Sequence, residues 1–371
     1  MPLLLSGGLY QKCSTWNIAS CGIILRKEKG GKLMERLGFI QAGFGLFGEG
    51  WADLLLRSEG VELRAVVDPS EEARERFAKR FGDRGIPCFP TLSEALKNIQ
   101  AQAVLIVAPN RAHREIAEEA LEAGLHVLSE KPLADTWKNA LGIYNAWKRS
   151  KKLVYAVSQN YRFRPEIQAL KKAVAEGACG NIEYGTYEFH EEWRLGGWRT
   201  SMDYPLLEDM SIHHFDILRF VLGKEALAVR MTSSNPSWSP FKSGAVASGE
   251  LHFAQEVLVQ YFGSWVSRGH RTSWNGTIRL FGEHGTLSLE DDRLFVTGKD
   301  GKREEIIFPR YETDGRVFVL REFVKAVLEG EEPSTSLSDN IKTFALTCAA
   351  VESAQRREEV ALRYYLGELE P

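Results

Sequence analysis

"LGFIQAGFGLFG", residues 37–48, joins an apolar run to three glycines, Gly43, Gly45 and Gly48, and leads into Trp51-Ala-Asp-Leu-Leu-Leu56. Glycines crowd ordinary turns, so their spacing alone decides little. Their context decides more, because they end a strand pattern and open a helix pattern within a strand-helix-strand unit. There Gly43 permits the tight turn, Gly45 lets the backbone approach a pyrophosphate, and Gly48 lets helix and strand pack closely. The helix N-terminus then faces the phosphates. The stretch reads as a dinucleotide site.

The second strand pattern, Leu63–Asp68, ends on a carboxylate placed to accept hydrogen bonds from the adenosine ribose. A carboxylate there repels a 2′-phosphate, and no arginine follows until Arg74, so NAD is expected over NADP. Asp68 can equally cap the helix that begins near Ser70, and both roles can hold together.

From Leu37 onward, short Val/Ile/Leu-rich strands alternate with amphipathic segments. The strands are Leu37–Ala42, Leu63–Asp68, Ala103–Ala108, His126–Ser129 and Leu153–Val157. The helices between them are Gly48–Ser58, Ser70–Phe81, Thr91–Lys97, Arg111–Ala123 and Ala134–Ser150. Such alternation predicts an α/β domain with a doubly wound parallel sheet, a Rossmann domain over residues 35–157. Beyond it the pattern changes. A helix over Pro165–Glu176, a strand over Ile182–Glu191, a helix from about Leu206 to Leu222 and strands over Leu251–Trp265, Thr277–Phe281, Thr286–Glu290 and Leu294–Thr297 predict an α+β domain, residues 158–371, with a mostly antiparallel open sheet. Helices over Gly315–Leu328 and Ser338–Arg356 close it. Residues 1–34 show no clear period and read as a disordered extension, with Met34 as the alternative initiator. Ile18-Ala-Ser-Cys21 resembles a lipobox, but Gln11, Lys12 and Asn17 interrupt the apolar stretch before it.

A length of 371 residues favours two domains. The net charge of −3, from 47 basic and 50 acidic residues well interspersed, offers no footprint for nucleic acid. No stretch is apolar for the ~18 residues that a membrane helix requires. The five cysteines lack CxxC or zinc spacing, which implies reduced thiols and a cytoplasmic setting. The long strands leave a sheet face to be covered, so a homo-oligomer, dimer or tetramer, is expected.

Two stretches bear proton chemistry. Ser129-Glu130-Lys131-Pro132 ends the fifth strand, at the sheet edge where ligands bind. Lys131 reads either as a holder of a substrate oxygen or as a solvated loop lysine. In the helix from Leu206 to Leu222, Asp209, His213 and Asp216 fall at i, i+4 and i+7 on one face. His213 then reads as an acid/base or as a satisfied core histidine, while His214 points away. A metal at His213, Asp216 and His190-Glu191-Glu192 matches no standard ligand spacing, so no metal is expected. The Trp193-Arg-Leu-Gly-Gly-Trp198-Arg199 loop reads as a pocket wall, through Trp198 and Arg199, or as a packed surface loop.

Gly43/Gly45/Gly48, Ala108-Pro-Asn-Arg-Ala-His113, Glu130-Lys-Pro132, Asn160-Tyr-Arg162 and Asp209-x-x-x-His213-x-x-Asp216 together resemble the glucose-fructose oxidoreductase/inositol dehydrogenase/rhizopine catabolism (Gfo/Idh/MocA) family. The resemblance implies hydride transfer between a nicotinamide cofactor and a secondary alcohol carbon of a sugar, sugar acid or cyclitol. It implies Lys131 as the catalytic lysine, His213 as the acid/base and Asp209 as the group that orients substrate and imidazole. Cofactor contacts are implied at Phe47, Pro109, Asn110, His113, Glu130 and Lys131, and a substrate contact at Arg162. In place of the family's glycine-rich turn this chain has Tyr204-Pro-Leu-Leu207, and Ser211 stands where relatives carry glycine. Two other functions stay open on the same fold, a redox-neutral glycosidase that uses NAD transiently and a non-catalytic NAD-binding sensor.

Overall fold

The computed structural model describes residues 36–150, 152–193, 196–311 and 314–369. The extension expected over residues 1–34, with Cys13 and Cys21, lies outside them.

The first sheet has six parallel strands: β1 Leu37–Ala42, β2 Val61–Val67, β3 Cys88–Phe89, β4 Ala103–Ile106, β5 His126–Ser129 and β6 Tyr155–Val157. Their order is β3-β2-β1-β4-β5-β6, so the chain reverses its direction of travel between β1 and β4 and leaves a crevice at their carboxyl ends. Alternate residues of each strand enter opposite cores, which is why the strands read as unbroken apolar runs. Phe39, Leu105, Leu128 and Ala156 pack with helices α1 Leu46–Arg57 and α2 Glu71–Phe81. Ile40, Val104, Val127 and Val157 pack with α3 Leu92–Asn98, α4 His113–Glu122 and α5 Trp137–Arg149. Caps set the helix starts. Thr91 accepts from the Glu94 N–H, as its Thr-x-x-Glu spelling foretells, and Ser70 and Thr136 do the same for α2 and α5.

After α6 Pro165–Ala175 comes the second sheet, formed by β7 Ile182–His190, β8 Ala226–Ser234, β9 Val246–Phe253, β10 Leu258–Ser264, β11 Thr277–Gly282, β12 Gly285–Glu290, β13 Arg293–Gly298, β14 Arg303–Ile306 and β15 Glu359–Ala361. Its order is β14-β13-β12-β11-β7-β10-β9-β8-β15, antiparallel except where β7 meets β10. The expected architecture of a parallel sheet followed by a mostly antiparallel open one is observed. One strand expectation needs correction. Leu251–Trp265 is the end of β9, a tight turn and β10, which pair from His252↔Leu258 to Val246↔Ser264. The turn was invisible because Gln255 and Glu256, with φ of 61° and 63°, occupy the left-handed region without glycine, held there by the ladder on either side.

The expected helix over Leu206–Leu222 is two structures. Leu206–Ser211 is π-helical and runs into α7 Ile212–Leu222. A π turn adds a residue per turn, so Asp209 no longer shares a face with the residues four and seven places on. Two last helices tie the sheets together. In α8 Gly315–Glu329, Val319, Leu320 and Phe323 pack beside Phe39. In α9 Leu337–Arg356, Leu337, Ile341 and Phe344 pack on the first sheet while Ala345, Leu346 and Ala349 pack in the core of the second. This doubly apolar helix holds the edge of the first sheet against α7.

Candidate active site

The glycine loop is built as its residues require. Gly43 has φ +106°, and a Cβ there would lie 2.6 Å from the Val107 backbone. A Cβ on Gly48 would lie 2.5 Å from the Gly43 carbonyl oxygen, so both glycines serve close packing. The buried Gln41 amide donates to the Gly43 and Gly48 carbonyls at 2.9 and 2.8 Å and clamps the loop from within. Gly45 differs. Among the described residues nothing lies within 4 Å of a Cβ placed there, and no side chain caps the α1 N-terminus that it opens. Unsatisfied amides beside a bare backbone are what a dinucleotide's pyrophosphate needs, so these residues fit such a group. Phe47, in the first turn of α1, is more than half exposed, and the Arg199 guanidinium lies 5.8 Å from its ring.

Asp68 accepts from the Phe44 N–H at 2.8 Å and the Ser70 N–H at 2.9 Å, linking the glycine loop to the start of α2. Ser70, not Asp68, caps that helix. Arg74 turns back to donate to the backbone carbonyls of Asp68 and Pro69. Pro109 and Asn110 begin the short turn after β4, at the same edge of the sheet.

His113, expected at the cofactor, is instead fully buried, with Nδ1 3.2 Å from the Leu133 carbonyl and Nε2 2.9 Å from that of Ala108. Its ring joins the loop after β4 to the loop after β5 and presents no free edge to a ligand. In the latter loop Glu130 accepts from the Trp51 indole N–H at 2.7 Å and the Lys131 N–H at 3.0 Å, and the Lys131–Pro132 bond is cis. Burial raises the Glu130 pKa, with Trp51 and Lys131 opposing.

Lys131 Nζ crosses from the first domain to the second and donates to Asp209 twice, to its carbonyl and to Oδ1, both at 2.9 Å. Arg199 Nε donates to Asp209 Oδ2 at 2.6 Å. Burial pushes the Asp209 carboxyl up, but Lys131 and Arg199 outweigh it and hold it below its ordinary value. Two cations around one carboxylate leave a net positive charge where an alkoxide could be stabilised. Trp198 opens the turn Trp198–Ser201, and its side chain lies outside the described part of the structure.

His213, the first ring on α7, is almost fully buried. Its Nδ1 lies 3.1 Å from the Gln159 amide nitrogen, and its Nε2 has no hydrogen-bond partner among the described residues. Tyr161 stacks on the imidazole, with centroids 3.9 Å apart and planes at 13°. Arg164 lies 3.5 Å from the Tyr161 centroid and therefore covers the other face of the phenol ring. Burial, then Lys131 and Arg164, push the His213 pKa well below its ordinary value.

Arg162 and Asp216 depart from expectation. Arg162, expected in the substrate pocket, is buried and donates from Nε and Nη2 to the two oxygens of Asp216, each at 2.6 Å, and also to Asp339 on α9. Asp216 is thereby spent on structure and does not reach His213. The residues that flank the imidazole are Gln159 and Tyr161, which the sequence reading did not assign. The available signal was their position just after β6, at the same carboxyl edge as the other loops.

Buried neutral imidazoles have a consequence for stability. His113 and His213 have lowered pKa values and His214 is pushed down to about 3, each chiefly by burial. Below the ordinary imidazole pKa the unfolded chain binds protons that the folded chain refuses, so stability falls as pH falls. The window opens near 6.5 and, for His214, closes near 3. The unfolding free energy measured with urea should fall on acidification from about pH 7.5 to about pH 5.5, by no more than ~1.4 kcal/mol per pH unit for each imidazole, while Glu208, whose carboxyl burial pushes up to about 7, works in the opposite sense because the folded chain takes up its proton first. Measured in a Glu208→Gln background, which removes that opposing uptake, an unchanged free energy would mean that these rings are already accessible to protons.

The chain is similar to known proteins over most of its length. Residues 37–158 match a family model described as "Oxidoreductase family, NAD-binding Rossmann fold", and residues 167–288 match the GFO/IDH/MocA C-terminal domain. D-apiose dehydrogenase of Paraburkholderia graminis is 28% identical, over 84% of this chain and 85% of its own. Inositol 2-dehydrogenase of Rhizobium meliloti is 24% identical, over 86% and 97%. Among solved structures, an oxidoreductase from Agrobacterium radiobacter in complex with NAD+, L-tartaric acid and magnesium superposes with a TM-score of 0.80 at 22% identity, covering 89% of this chain and 99% of that one.

Proposed function

Because this chain belongs to the GFO/IDH/MocA family of oxidoreductases, with an NAD-binding Rossmann fold at its N-terminal end, we propose that it is an NAD-dependent dehydrogenase. Its substrate is a secondary alcohol of a sugar, sugar acid or cyclitol. The observation that carries this reading is that Lys131, at the carboxyl edge of the first sheet, binds Asp209 and lies close enough to His213 to depress its pKa, with Nε2 of His213 unpartnered among the described residues. The named activities of the apiose and inositol dehydrogenases support the substrate class.

A bound nicotinamide cofactor would supply the hydride acceptor. Gly45 and the amides of the α1 N-terminus would hold its pyrophosphate, Asp68 would face the adenosine ribose and favour NAD over NADP, and Phe47, Pro109, Asn110 and Glu130 would line its path. Lys131 holds the reacting oxygen and stabilises its developing negative charge. Asp209 keeps the lysine charged and in place, Arg199 contacts substrate from the facing loop, and His213 exchanges the hydroxyl proton at Nε2.

The test is NADH absorbance over a panel of cyclitols, aldoses and sugar acids, run in parallel with NADP and with Lys131→Ala. A rise with one substrate that the variant abolishes supports the reading. No rise over the whole panel with cofactor bound counts against it. The cofactor site has its own test. Gly45→Val, at a φ of −79° and with open space around the new side chain, should leave Tm unchanged and weaken NAD about tenfold or more, ~1.4 kcal/mol. Unaltered affinity would place the pyrophosphate elsewhere.

The outer face of the second sheet leaves Tyr184 on β7 and Phe262 on β10 exposed beside Glu188 and His190, on the side away from α6, α7 and α9. This face is the surface on which copies of the chain would associate, which light scattering of a Phe262→Glu variant against the parent would test.

A further inference from the structure

The Nδ1 atom of His213 meets an amide. Gln159 Nε2 lies 3.1 Å from that nitrogen and 3.4 Å from the Ile212 carbonyl, while its Oε1 accepts from Asn340 Nδ2 at 3.4 Å. Asn340 is fully buried on α9, and its Oδ1 has no partner among the described residues. An amide N–H directed at Nδ1 makes that atom an acceptor, so the proton of the neutral ring sits on Nε2. In this arrangement His213 cannot take a proton from a hydroxyl, because the nitrogen that faces the open side already carries one. A ring able to take a proton at Nε2, and the doubly protonated ring that results, both carry a proton on Nδ1 and need an acceptor there.

The same two amides supply that acceptor if both turn over. Gln159 Oε1 would then accept from Nδ1–H and Gln159 Nε2 would donate to Asn340 Oδ1, while the Asn340 amide nitrogen would take the position at which Oδ1 now has no partner among the described residues. The contact with the Ile212 carbonyl is given up in exchange. We propose that Gln159, backed by Asn340, is a positioning residue that decides which ring nitrogen of His213 holds the proton, its turned orientation being the one competent for catalysis. The proposal rests on the reading of His213 as proton carrier. In the step itself the hydroxyl proton passes to Nε2, the C–H electron pair leaves as hydride to the nicotinamide, and the imidazolium keeps Nδ1–H on Gln159 Oε1.

Charged and titratable groups that face the ring are Lys131 from the loop after β5, Arg164 behind Tyr161, and His214 on α7 itself. All are cations or neutral rings, so a carboxylate at position 159 would be a new influence. In Gln159→Glu the side chain can only accept, Nδ1 must carry a proton, and the acidic limb of the kcat profile for alcohol oxidation should move up by about 1–3 pH units. In Gln159→Met the tautomer is unguided. Its kcat should fall about tenfold or more, with KM and NAD affinity unchanged, and Gln159→Glu should recover plateau turnover.

Nitrogen-15 spectra of the histidine rings, taken on the cofactor-free protein, give a readout apart from activity. The protonated nitrogen of His213 should change identity between the parent and Gln159→Glu. The same tautomer in both, or superimposable pH profiles, would overturn the proposal. His213→Ala separates the two ideas. If that variant turns over normally, the proton-carrier reading fails. If it is crippled and the Gln159 variants leave the pH limb unmoved, only the positioning role fails.

Discussion

His213→Ala should lose about 10²–10⁴-fold in kcat, the usual contribution of a placed acid/base, while still binding NAD. The ring is buried against Tyr161 on one face, is met by Gln159 at Nδ1 and has no partner at Nε2 among the described residues, which leaves Nε2 as the nitrogen for the exchange. The imidazole lies outside the glycine loop, which is why cofactor affinity should survive its removal. Some loss of stability will accompany the change, because the deletion leaves a gap beside Tyr161 and an unpaired Gln159 amide. Steady-state turnover and NAD binding by fluorescence quenching, measured on the same preparation, separate the effects. Retained turnover with bound cofactor would assign the proton to another group, with Lys131 the next candidate.

Asp216→Ala should cost about 3–5 kcal/mol of folding stability, the price of breaking a buried ion pair by removing one partner. The carboxylate is fully buried and receives Arg162 at both oxygens and the Thr343 hydroxyl at 2.9 Å. Arg219 reaches the same network through Thr343 at 2.7 Å and Asp339 at 3.0 Å. Without Asp216 the buried Arg162 keeps only the Ser334 carbonyl and Asp339, which it shares with Arg219, while Arg219 retains its two bonds to Glu225. Asp216→Asn keeps the volume and removes only the charge, so its loss should be smaller. Urea unfolding followed by circular dichroism measures both. A cost below about 1 kcal/mol would show that water reaches Arg162 when its partner is gone. The network joins the turn after β6, α7 and α9, so the same substitution should also loosen the placement of His213.

The division between what local pattern can tell and what it cannot is visible in single residues. Residues 37–48 were readable because a glycine loop is local. The turn, the closeness of helix to strand and the bare backbone at Gly45 all follow from a few adjacent dihedrals and missing Cβ atoms. The alternation of apolar runs with amphipathic segments likewise determined the parallel sheet, since strands buried on both faces need continuous apolar sequence. Lys131 and Asp209 were legible as types of residue at plausible places. Their contact was not, since it spans two domains and depends on a loop that crosses between sheets.

Where the reading erred, a non-local choice had been made. Arg162 carries the chemistry of a substrate anchor, but the burial of Asp216 claimed it first. His113 became a brace because two carbonyls from separate loops converge on its ring. A π turn placed Asp209 off the face of His213, and nothing in a helical period announces an inserted residue. The hairpin at Gln255-Glu256 escaped notice because ladder pairing holds non-glycine residues in a left-handed conformation that the local sequence does not favour. Local pattern was enough for the sheet classes, the cofactor loop and the residue types at the candidate site. Which of those side chains were left free to react was set in the folded chain, because partners for a buried charge or ring are allotted by packing between segments far apart in the chain.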